Sequence, residues 1–339
     1  KSHLWQVTDI IRATPQENLD MIADSVSHLT EAGRRVFVDL EHFFDGYKHD
    51  TTYAIECCRA AADAGAKALV LCDTNGGGMP WEIESATKAV REAFPHVTVG
   101  IHAHNDCGMA AANSVTAVKA GAGMVQGTVN GIGERTGNAN LCSVVPSLIL
   151  HVNTAARCSP HLSEMTQLSR FVDETLNRQP DPSAPFVGSS AFAHKGGLHV
   201  AAMERSPDSY QHVDPKSVGN EKRVLISELS GRQNILGKIR EKSEGLVSLS
   251  DDVAGERAAS ILGRVKRLES VGYTFEGAEA SVELMILHAT RGYCPPFRVL
   301  DYSAQVFDSH LDSASRMMKL EKVSEDARVG RNDTDAGGK

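Results

Sequence analysis

Two histidines separated by a single residue, His102 and His104, carry the strongest chemical signal in the sequence. They lie in the run Gly100–Asp106, which has the apolar alternation of a β-strand. Alternate side chains of a strand share a face, so both imidazoles point away from the side occupied by Ile101 and Ala103. Two imidazoles placed in this way can bind one ion, and neighbouring oxygens would favour Mg, Mn or Zn. Without such neighbours, a His-x-His pair is more typical of inward polar side chains bonded to nearby groups.

A glycine-containing loop further along the chain offers an oxygen ligand for the same ion. Residues 130–138 read Asn-Gly-Ile-Gly-Glu-Arg-Thr-Gly-Asn, and the glycines allow a sharp turn or a close approach to a ligand. Asn138 can present its amide oxygen at the end of this loop. The alternative is a plain turn in which Glu134 and Arg135 pair at the surface.

Two further polar residues follow predicted strands. Thr74 lies in the loop Asp73–Gly78 and can hold an anionic group, although a glycine run of this kind is more often only a turn. Glu41 ends another strand, where it can act as a general acid–base group or orient a histidine. Taken alone, Glu41 is more typical of an ion-pair residue.

These candidates are distributed over a regular alternation of strand and helix signals between residues 14 and 150. Capping residues and apolar spacing predict helices over 15–33, 51–64, 80–94 and 109–120, and strands over 35–40, 67–72, 97–104 and 124–129. Such a series predicts an α/β fold with a parallel sheet and a site at the carboxyl ends of the strands. A closed (β/α)8 barrel has eight units and four are visible. The alternatives are a small doubly wound sheet, or a partial (β/α)8 TIM barrel whose early strands lie outside this sequence.

The pattern becomes mostly helical after about residue 155. An amphipathic helix is predicted over 162–176, a linker over 179–183 and a second helical region over 258–271. One or two strands are predicted over 296–306. The polar stretch 324–339 is predicted to be disordered.

Composition narrows the range of partners. The 339 residues include 35 basic and 43 acidic ones, which gives a formal net charge of -8. With no basic stripe, this balance argues against nucleic acid or an anionic membrane as the main partner. No run of about 18 apolar residues is present. The seven cysteines form no CxxC pair, which fits reduced intracellular thiols that serve as small buried side chains.

Several motifs in fixed order resemble the strand ends of the DRE-TIM metallolyase superfamily. They are Val38–Tyr47, Leu71–Gly77, Gly100–Gly108 and Gly131–Leu141. Within the superfamily they are similar to the Claisen-condensing branch of 2-isopropylmalate, homocitrate and citramalate synthases. Ala191–Val200, together with Glu41–Tyr47, is most similar to the citramalate synthase subgroup, and the resemblance extends through Phe275–Ala278.

The resemblance implies a metal-bound substrate. His102, His104 and Asn138 would be ligands of a divalent ion, Mg or Mn with Zn as a further option, which holds a 2-oxo acid by its carbonyl and carboxylate oxygens. Thr74 would bind the substrate carboxylate, and Glu41 would lie beside the reacting centre.

Two more residues are implied in the chemistry of the co-substrate, acetyl-CoA. His199 and Tyr210 match family residues that reach into the site from a C-terminal subdomain, often that of a neighbouring subunit. They would handle the proton of acetyl-CoA and its enolate. The resemblance therefore implies a homodimer.

The sequence also departs from the superfamily pattern. The Asp metal ligand and the Arg of the superfamily's first strand, in a pattern like Asp-x-x-x-Arg-Asp, are absent. We therefore interpret the chain as an N-terminally truncated fragment that is inactive in isolation. The predicted division is a partial-barrel catalytic domain at 1–155, helical subdomains at 156–292, and the start of a regulatory domain with a disordered tail at 293–339.

The resemblance predicts the condensation of acetyl-CoA with pyruvate to citramalate in branched-chain amino-acid (isoleucine and leucine) biosynthesis. The enzyme would be cytoplasmic, or located in an organelle if a targeting segment lies upstream. The alternative is 2-isopropylmalate synthase, which uses 2-oxoisovalerate. A lyase of the same superfamily is disfavoured by the segment 190–277, which belongs to the synthases. An alternative of another class is a catalytically dead fragment that only binds partners or metabolites.

Overall fold

The structure of the protein, a computed structural model, describes residues 1–154, 156, 159–194, 202, 205–206, 209–224, 251–275, 278–288, 294 and 303. The chain forms two compact units, Lys1–Val282 and Glu283–Lys339. Three predictions fall outside the described residues: the strands over 296–306, the disordered tail 324–339 and the position of His199.

Strands and helices alternate through the first part of the chain. The elements are α1 (Pro15–Glu31), β1 (Phe37–Leu40), α2 (Phe43–His49), α3 (Thr51–Asp63), β2 (Ala68–Asp73), α4 (Pro80–Ala93), β3 (Thr98–Ala103), α5 (Ala110–Lys119), β4 (Met124–Gln126), α6 (Leu141–Pro146), α7 (Met165–Thr175), β5 (Ala193–His194), β6 (Arg223–Val224), α8 (Asp251–Glu269) and α9 (Glu279–His288). The predicted α/β class is confirmed, as is the helical character of the later segments.

The start of α1 shows how local sequence sets these boundaries. The Thr14 hydroxyl accepts a hydrogen bond from the Glu17 backbone N–H at 3.2 Å, and the Glu17 carboxylate accepts one from the Thr14 N–H at 2.7 Å. Pro15 occupies the first helical position, where no N–H is needed. A capping residue of this kind contributes about 1 kcal/mol, so the helix begins where the sequence predicts it.

The first four strands form one parallel sheet in the order β1-β2-β3-β4. Its register pairs Leu40 with Leu71, Cys72 with His102, and His102 with Gln126. Neighbouring strands therefore end close together, and the loops that follow them meet at one edge. In the described part of the chain the sheet is open, as expected for part of a barrel.

The two faces of this sheet have different surroundings. One face packs against the helices: Leu69, Leu71 and Ile101 are fully buried in a core with residues of α3, α4 and α5. Alternate positions point to the opposite face. That face carries Asp39, Cys72, His102 and Gln126.

Helix α2 was not predicted from the sequence. It is short and contains Gly46, so neither propensity nor spacing indicates it. Its helical state is explained by tertiary packing, because Phe43 and Phe44 are 0% and 2% exposed in the core. Strand β4 is also shorter than predicted and ends at Gln126.

The later part of the described chain is mainly helical. A second apolar cluster includes the first residue of α7, Met165, together with Leu162, Phe186, Phe192 and Val218. Helices α7 and α8 match the predicted regions, and α9 was not predicted. The predicted domain boundaries stay predictions. Among the described residues, no helix combines the length and apolar character needed to cross a bilayer.

Candidate metal and substrate site

The structure brings the two predicted histidines together with Asn138. His102 lies on β3, and His104, just beyond its end, forms an isolated antiparallel bridge with Asn138. The centroids of the two imidazole rings are 5.2 Å apart. The Asn138 amide Nδ2 lies 2.9 Å from His102 Nε2. Three side chains predicted to bind one ion therefore occupy one small region.

The tautomer of His102 is set by a chain of two hydrogen bonds. The Asp39 carboxylate accepts from Gln126 Nε2 at 2.9 Å, which turns the Gln126 amide oxygen toward His102. That oxygen lies 2.7 Å from His102 Nδ1. Since a carboxylate can only accept and an amide oxygen can only accept, Nδ1 must carry the proton. The lone pair of His102 is therefore on Nε2, the nitrogen beside Asn138.

His104 is held in the same tautomer by a backbone carbonyl. Its Nδ1 lies 2.8 Å from the Thr74 carbonyl oxygen. Arg135 Nη2 is also 2.8 Å from this nitrogen, but both Nη2 hydrogens are directed elsewhere, to Thr74 O and to Asp106 Oδ2, each at 2.9 Å. Nδ1 is therefore the donor, and the lone pair of His104 is on Nε2. Both imidazoles are prepared as metal ligands through the same nitrogen.

Arg135 is a site residue whose main partner sequence reasoning missed. Its guanidinium lies 3.8 Å from the Glu134 carboxylate, the surface pairing that the plain-turn alternative gave. The structure also shows a closer, two-point ion pair with Asp106, at 2.8 and 2.9 Å. The hydrogen bonds from Arg135 hold the pKa of Asp106 below its usual range. The spacing of these residues along the sequence gave no signal for this pairing.

Close approaches explain two of the glycines in the loops around the site. A Cβ on Gly133 would collide with the Oδ1 atom of Asn138. Gly76 has φ 65° and faces Asp106 so closely that a Cβ would collide with its carboxylate. The loops can therefore fold against each other only where side chains are missing.

The loop that contains Asn138 is anchored to helix α7. Asn130, with φ 61°, donates from Nδ2 to the Ser169 carbonyl oxygen at 2.9 Å. The Ser169 hydroxyl donates to Asn130 Oδ1 at 2.7 Å. This reciprocal pair fixes the start of the loop to a helix of the later, helical part of the chain.

Thr74 lies between β1 and the histidines. Its Oγ1 accepts a hydrogen bond of 2.7 Å from the backbone N–H of His42, a residue with φ 59°. The hydroxyl proton is then available for another acceptor. This arrangement is compatible with the predicted contact to a substrate carboxylate, which stays a prediction.

The carboxylates at the strand ends differ in their environments. Glu41 follows β1, is half exposed and forms an ion pair with the Lys1 ammonium, which lowers the Glu41 pKa. Asp73 ends β2 and is 2% exposed, and burial raises its pKa. Both of its carboxylate oxygens lie 3.2 Å from the Gly78 N–H. Asp73 therefore shapes the Thr74 loop, whereas Glu41 is an accessible carboxylate near the sheet edge.

Two predicted site residues belong to the C-terminal part of the chain. Tyr210 is 46% exposed, and His199 lies outside the described residues. Their roles in proton handling stay predictions.

Comparison with known proteins places the chain in a family. A family model described as HMGL-like matches residues 4–172, and one described as homocitrate synthase post-HMGL domain-like matches residues 186–271. The chain belongs to the HMGL-like family, within the DRE-TIM superfamily that its motifs resemble.

Among individual relatives, the identity to citramalate synthases is higher than the identity to a 2-isopropylmalate synthase. The chain is 46% identical over 286 residues to an (R)-citramalate synthase of Aquifex aeolicus, covering 84% of this chain and 53% of that protein. It is 43% identical to the (R)-citramalate synthase of Geobacter sulfurreducens, covering 98% and 63% respectively. Identity to 2-isopropylmalate synthase 2 of Caldanaerobacter subterraneus is 35%, over 68% of this chain and 59% of that protein. The chain thus spans less than two thirds of the length of these curated relatives.

Proposed function

We propose that this protein takes part in the metal-dependent condensation of acetyl-CoA with pyruvate to give citramalate, in branched-chain amino-acid biosynthesis. The observation that carries the proposal is the matched pair of tautomers at His102 and His104. Each Nδ1 is committed to an oxygen acceptor, which leaves each Nε2 lone pair available. The identities of 42–46% to citramalate synthases, against 35% to a 2-isopropylmalate synthase, favour pyruvate as the 2-oxo acid.

The residues present fit a divalent ion. Imidazole nitrogens and an amide oxygen suit Mn and Zn, and Mg where further oxygens complete the set. Rotating the Asn138 amide by half a turn would present its oxygen beside His102 Nε2, the position now taken by Nδ2 at 2.9 Å. When bound, such an ion supplies Lewis-acid polarisation of the 2-oxo acid carbonyl.

The remaining candidates have roles that their environments permit. The Thr74 hydroxyl, whose oxygen already accepts from His42, can donate its proton to the carboxylate of the 2-oxo acid. Glu41 has a lowered pKa and is ionised at neutral pH, so it can accept a hydrogen bond or a proton beside the reacting centre. His199 and Tyr210 are proposed to remove the proton from acetyl-CoA and to stabilise the enolate.

The proposal also covers the domain boundaries, the oligomeric state and the location of the enzyme. We place the catalytic part at residues 1–155, helical subdomains at 156–292 and the start of a regulatory domain at 293–339. Because His199 and Tyr210 are assigned to a neighbouring subunit's site, the active form is a homodimer. The proposed site of action is the cytoplasm.

Metal-dependent substrate binding tests this function without relying on turnover. We expect pyruvate to bind the protein in calorimetric titrations only when Mn²⁺ is present, and more tightly than 2-oxoisovalerate. His102→Ala and His104→Ala should each abolish this binding, whereas His96→Ala, an exposed turn residue, should not. The accompanying activity assay, release of CoA from acetyl-CoA with pyruvate, is made on a version of the protein that also carries the Asp-x-x-x-Arg-Asp pattern.

The other outcomes identify the rival functions. Tighter binding of 2-oxoisovalerate would indicate a 2-isopropylmalate synthase. Cleavage of a 3-hydroxyacyl-CoA ester without condensation would indicate a lyase. Binding of metabolites that is equal with and without metal would contradict the proposed chemistry.

A further inference from the structure

A second group of metal-ligating side chains lies beside the first, on the other side of the His102 ring. Asp39, Cys72 and His102 each offer a ligand atom, and these atoms lie within 4.8 Å of one another. His102 faces Asp39 with Nδ1, at 4.0 Å from Oδ2. The Nε2 atom of the same ring faces Asn138. The two groups of ligands thus use opposite nitrogens of one imidazole.

Strand register explains why these three side chains meet. Cys72 on β2 is paired directly with His102 on β3, so their side chains leave the sheet on the same face. Asp39 on β1 is paired with Val70, two residues before Cys72, and therefore points to that face as well. The curl of the sheet brings the three together over its concave side.

The ligand types indicate which ions would bind. A thiolate, an imidazole and a carboxylate form a soft, mixed set that suits Zn²⁺ and Co²⁺ and does not suit Mg²⁺. In a tetrahedral site with bonds of about 2.0–2.3 Å, ligand atoms are separated by less than 4 Å. The observed separations therefore require the side chains to close in by a fraction of an ångström to about one ångström. Asp39 is 45% exposed at its side chain, so it can make this movement when its hydrogen bond from Gln126 is released.

We propose that Asp39, Cys72 and His102 form a thiophilic metal site that excludes metal from the site of His102, His104 and Asn138. Binding of Zn²⁺ there releases the Cys72 thiol proton to solvent and gives a zinc–thiolate bond. The His102 proton moves from Nδ1 to Nε2, so that Nδ1 binds zinc and the hydrogen bond to Gln126 is broken. With Nε2 protonated, His102 has no lone pair for a second ion.

The donor set at Cys72 favours ions that bind thiolate strongly. Cys72 is 5% exposed, and Zn²⁺ and Co²⁺ bind thiolate more strongly than Mg²⁺ and Mn²⁺ do. The site therefore discriminates Zn²⁺ from Mg²⁺ and Mn²⁺ by its sulfur ligand.

Cobalt provides a direct test, because a thiolate bound to Co²⁺ gives a near-ultraviolet charge-transfer band. Titration of the full chain with Co²⁺ should produce this band with one thiolate per chain. Cys72→Ser should abolish the band, while Cys107→Ser, a change at an exposed thiol, should keep it. Asp39→Asn, which keeps the thiol, should lower Co²⁺ affinity at least ~10-fold. A band that survives Cys72→Ser, or one that depends on Cys107, would overturn the proposal, as would the absence of any band.

The exclusion of Mn²⁺ from the site of His102, His104 and Asn138 rests on the proposed function, and it is measured in a separate experiment. Zn²⁺ should displace bound Mn²⁺, seen as the return of the free Mn²⁺ electron paramagnetic resonance signal. Displacement should need at least ~10-fold more Zn²⁺ in Cys72→Ser, where zinc can act only by direct competition at His102, His104 and Asn138. His104→Ala should lose Mn²⁺ binding and retain the cobalt band. A protein that gives the band but binds no Mn²⁺ would contradict the proposed function and leave the thiophilic site standing. Simultaneous binding of both ions would overturn the exclusion.

Discussion

Asp39 on the first strand and Gln126 on the fourth strand are joined by a hydrogen bond of 2.9 Å, although two strands lie between them. In a flat sheet their side chains would stand parallel, separated by three strand spacings of about 4.8 Å each. The direct contact therefore requires the sheet to curl strongly around the face that carries His102. This curl brings separate strand ends into one site.

Removal of the Gln126 side chain should weaken binding of hard ions. Gln126→Ala deletes the acceptor that keeps the proton of His102 on Nδ1, and loss of such a partner costs about 10–100-fold in metal affinity. Calorimetric titration with Mn²⁺ measures the effect. Gln16→Ala, which removes an amide that bonds Asp20 on the surface of α1, is the matched control. Equal Mn²⁺ affinity in both variants would show that the tautomer of His102 is set in another way.

The ion pair of Arg135 should not tolerate a lysine. A lysine carries the same charge but cannot donate to both oxygens of Asp106 and to the Thr74 carbonyl with fixed geometry. Arg135→Lys is therefore expected to lower Mn²⁺ affinity nearly as much as Arg135→Gln. Lys88→Gln, which removes an exposed pair with Glu84 on α4, should have no effect. If Arg135→Lys bound Mn²⁺ as tightly as the parent protein, only the charge of Arg135 would matter for metal affinity.

A single methyl group in the glycine loop should displace a predicted ligand. Gly133→Ala places a Cβ against the Asn138 side chain, so we expect loss of Mn²⁺ binding with the fold retained. Gly77→Ala is the control, because a Cβ there meets no atom within 4 Å. Circular dichroism checks the fold, and calorimetry checks the metal. Normal binding by Gly133→Ala would remove Asn138 from the set of ligands.

The buried carboxylate of Asp73 should make the free energy of unfolding depend on pH. Burial raises its pKa, so the folded state holds the proton more tightly than the unfolded state does. The stability contributed by Asp73 is therefore present below its unfolded pKa, about 3.9, and is lost as pH rises through the folded value. In urea titrations, Asp73→Asn should become more stable relative to the parent as pH increases over this window. Asp24→Asn, a change at an exposed position on α1, controls for the substitution itself, and a pH-independent difference for Asp73→Asn would contradict the assignment.

Subunit complementation tests the proposed homodimer. The test uses a version of the protein that also carries the Asp-x-x-x-Arg-Asp pattern. In that version, Glu41→Ala and His199→Ala should each be inactive in CoA release, and their mixture should regain part of the activity. The reason is that one of the two hybrid sites would then hold both intact residues. Continued inactivity after proven subunit exchange would place His199 in the site of its own chain.

Much of the fold follows from patterns that are local in the sequence. Alternating apolar residues located the four parallel strands, and capping residues such as Thr14 located the helix starts. Helix α2 was missed because its stability comes from burial of Phe43 and Phe44, which local propensity does not report. The strand ends were predictable because every parallel strand carries its loop to the same edge.

The site was predictable only in part, because the ligand residues are marked in the sequence and their hydrogen-bond partners are not. His102, His104 and Asn138 are marked by residue type and by their position after strands. Their partners are not, because Gln126 and Asp39 are joined by the curl of the sheet and not by proximity in sequence. Arg135 pairs with its neighbour Glu134, as the plain-turn alternative had it, but its shorter contacts are to Asp106, 29 positions away. Side-chain networks of this kind depend on tertiary geometry.

The reciprocal hydrogen bonds between Asn130 and Ser169 connect helix α7 directly to the loop of the proposed metal site. Asn130 begins the loop that Asn138 ends, so a displacement of α7 acts on one end of a segment whose other end holds a proposed ligand. If the affinity for metal differs between two positions of α7, a molecule that binds better to one position changes the affinity for metal, and the metal changes the affinity for that molecule by the same factor. Binding of a molecule to helix α7 would then respond to the presence of metal in the site and would change the metal affinity in turn.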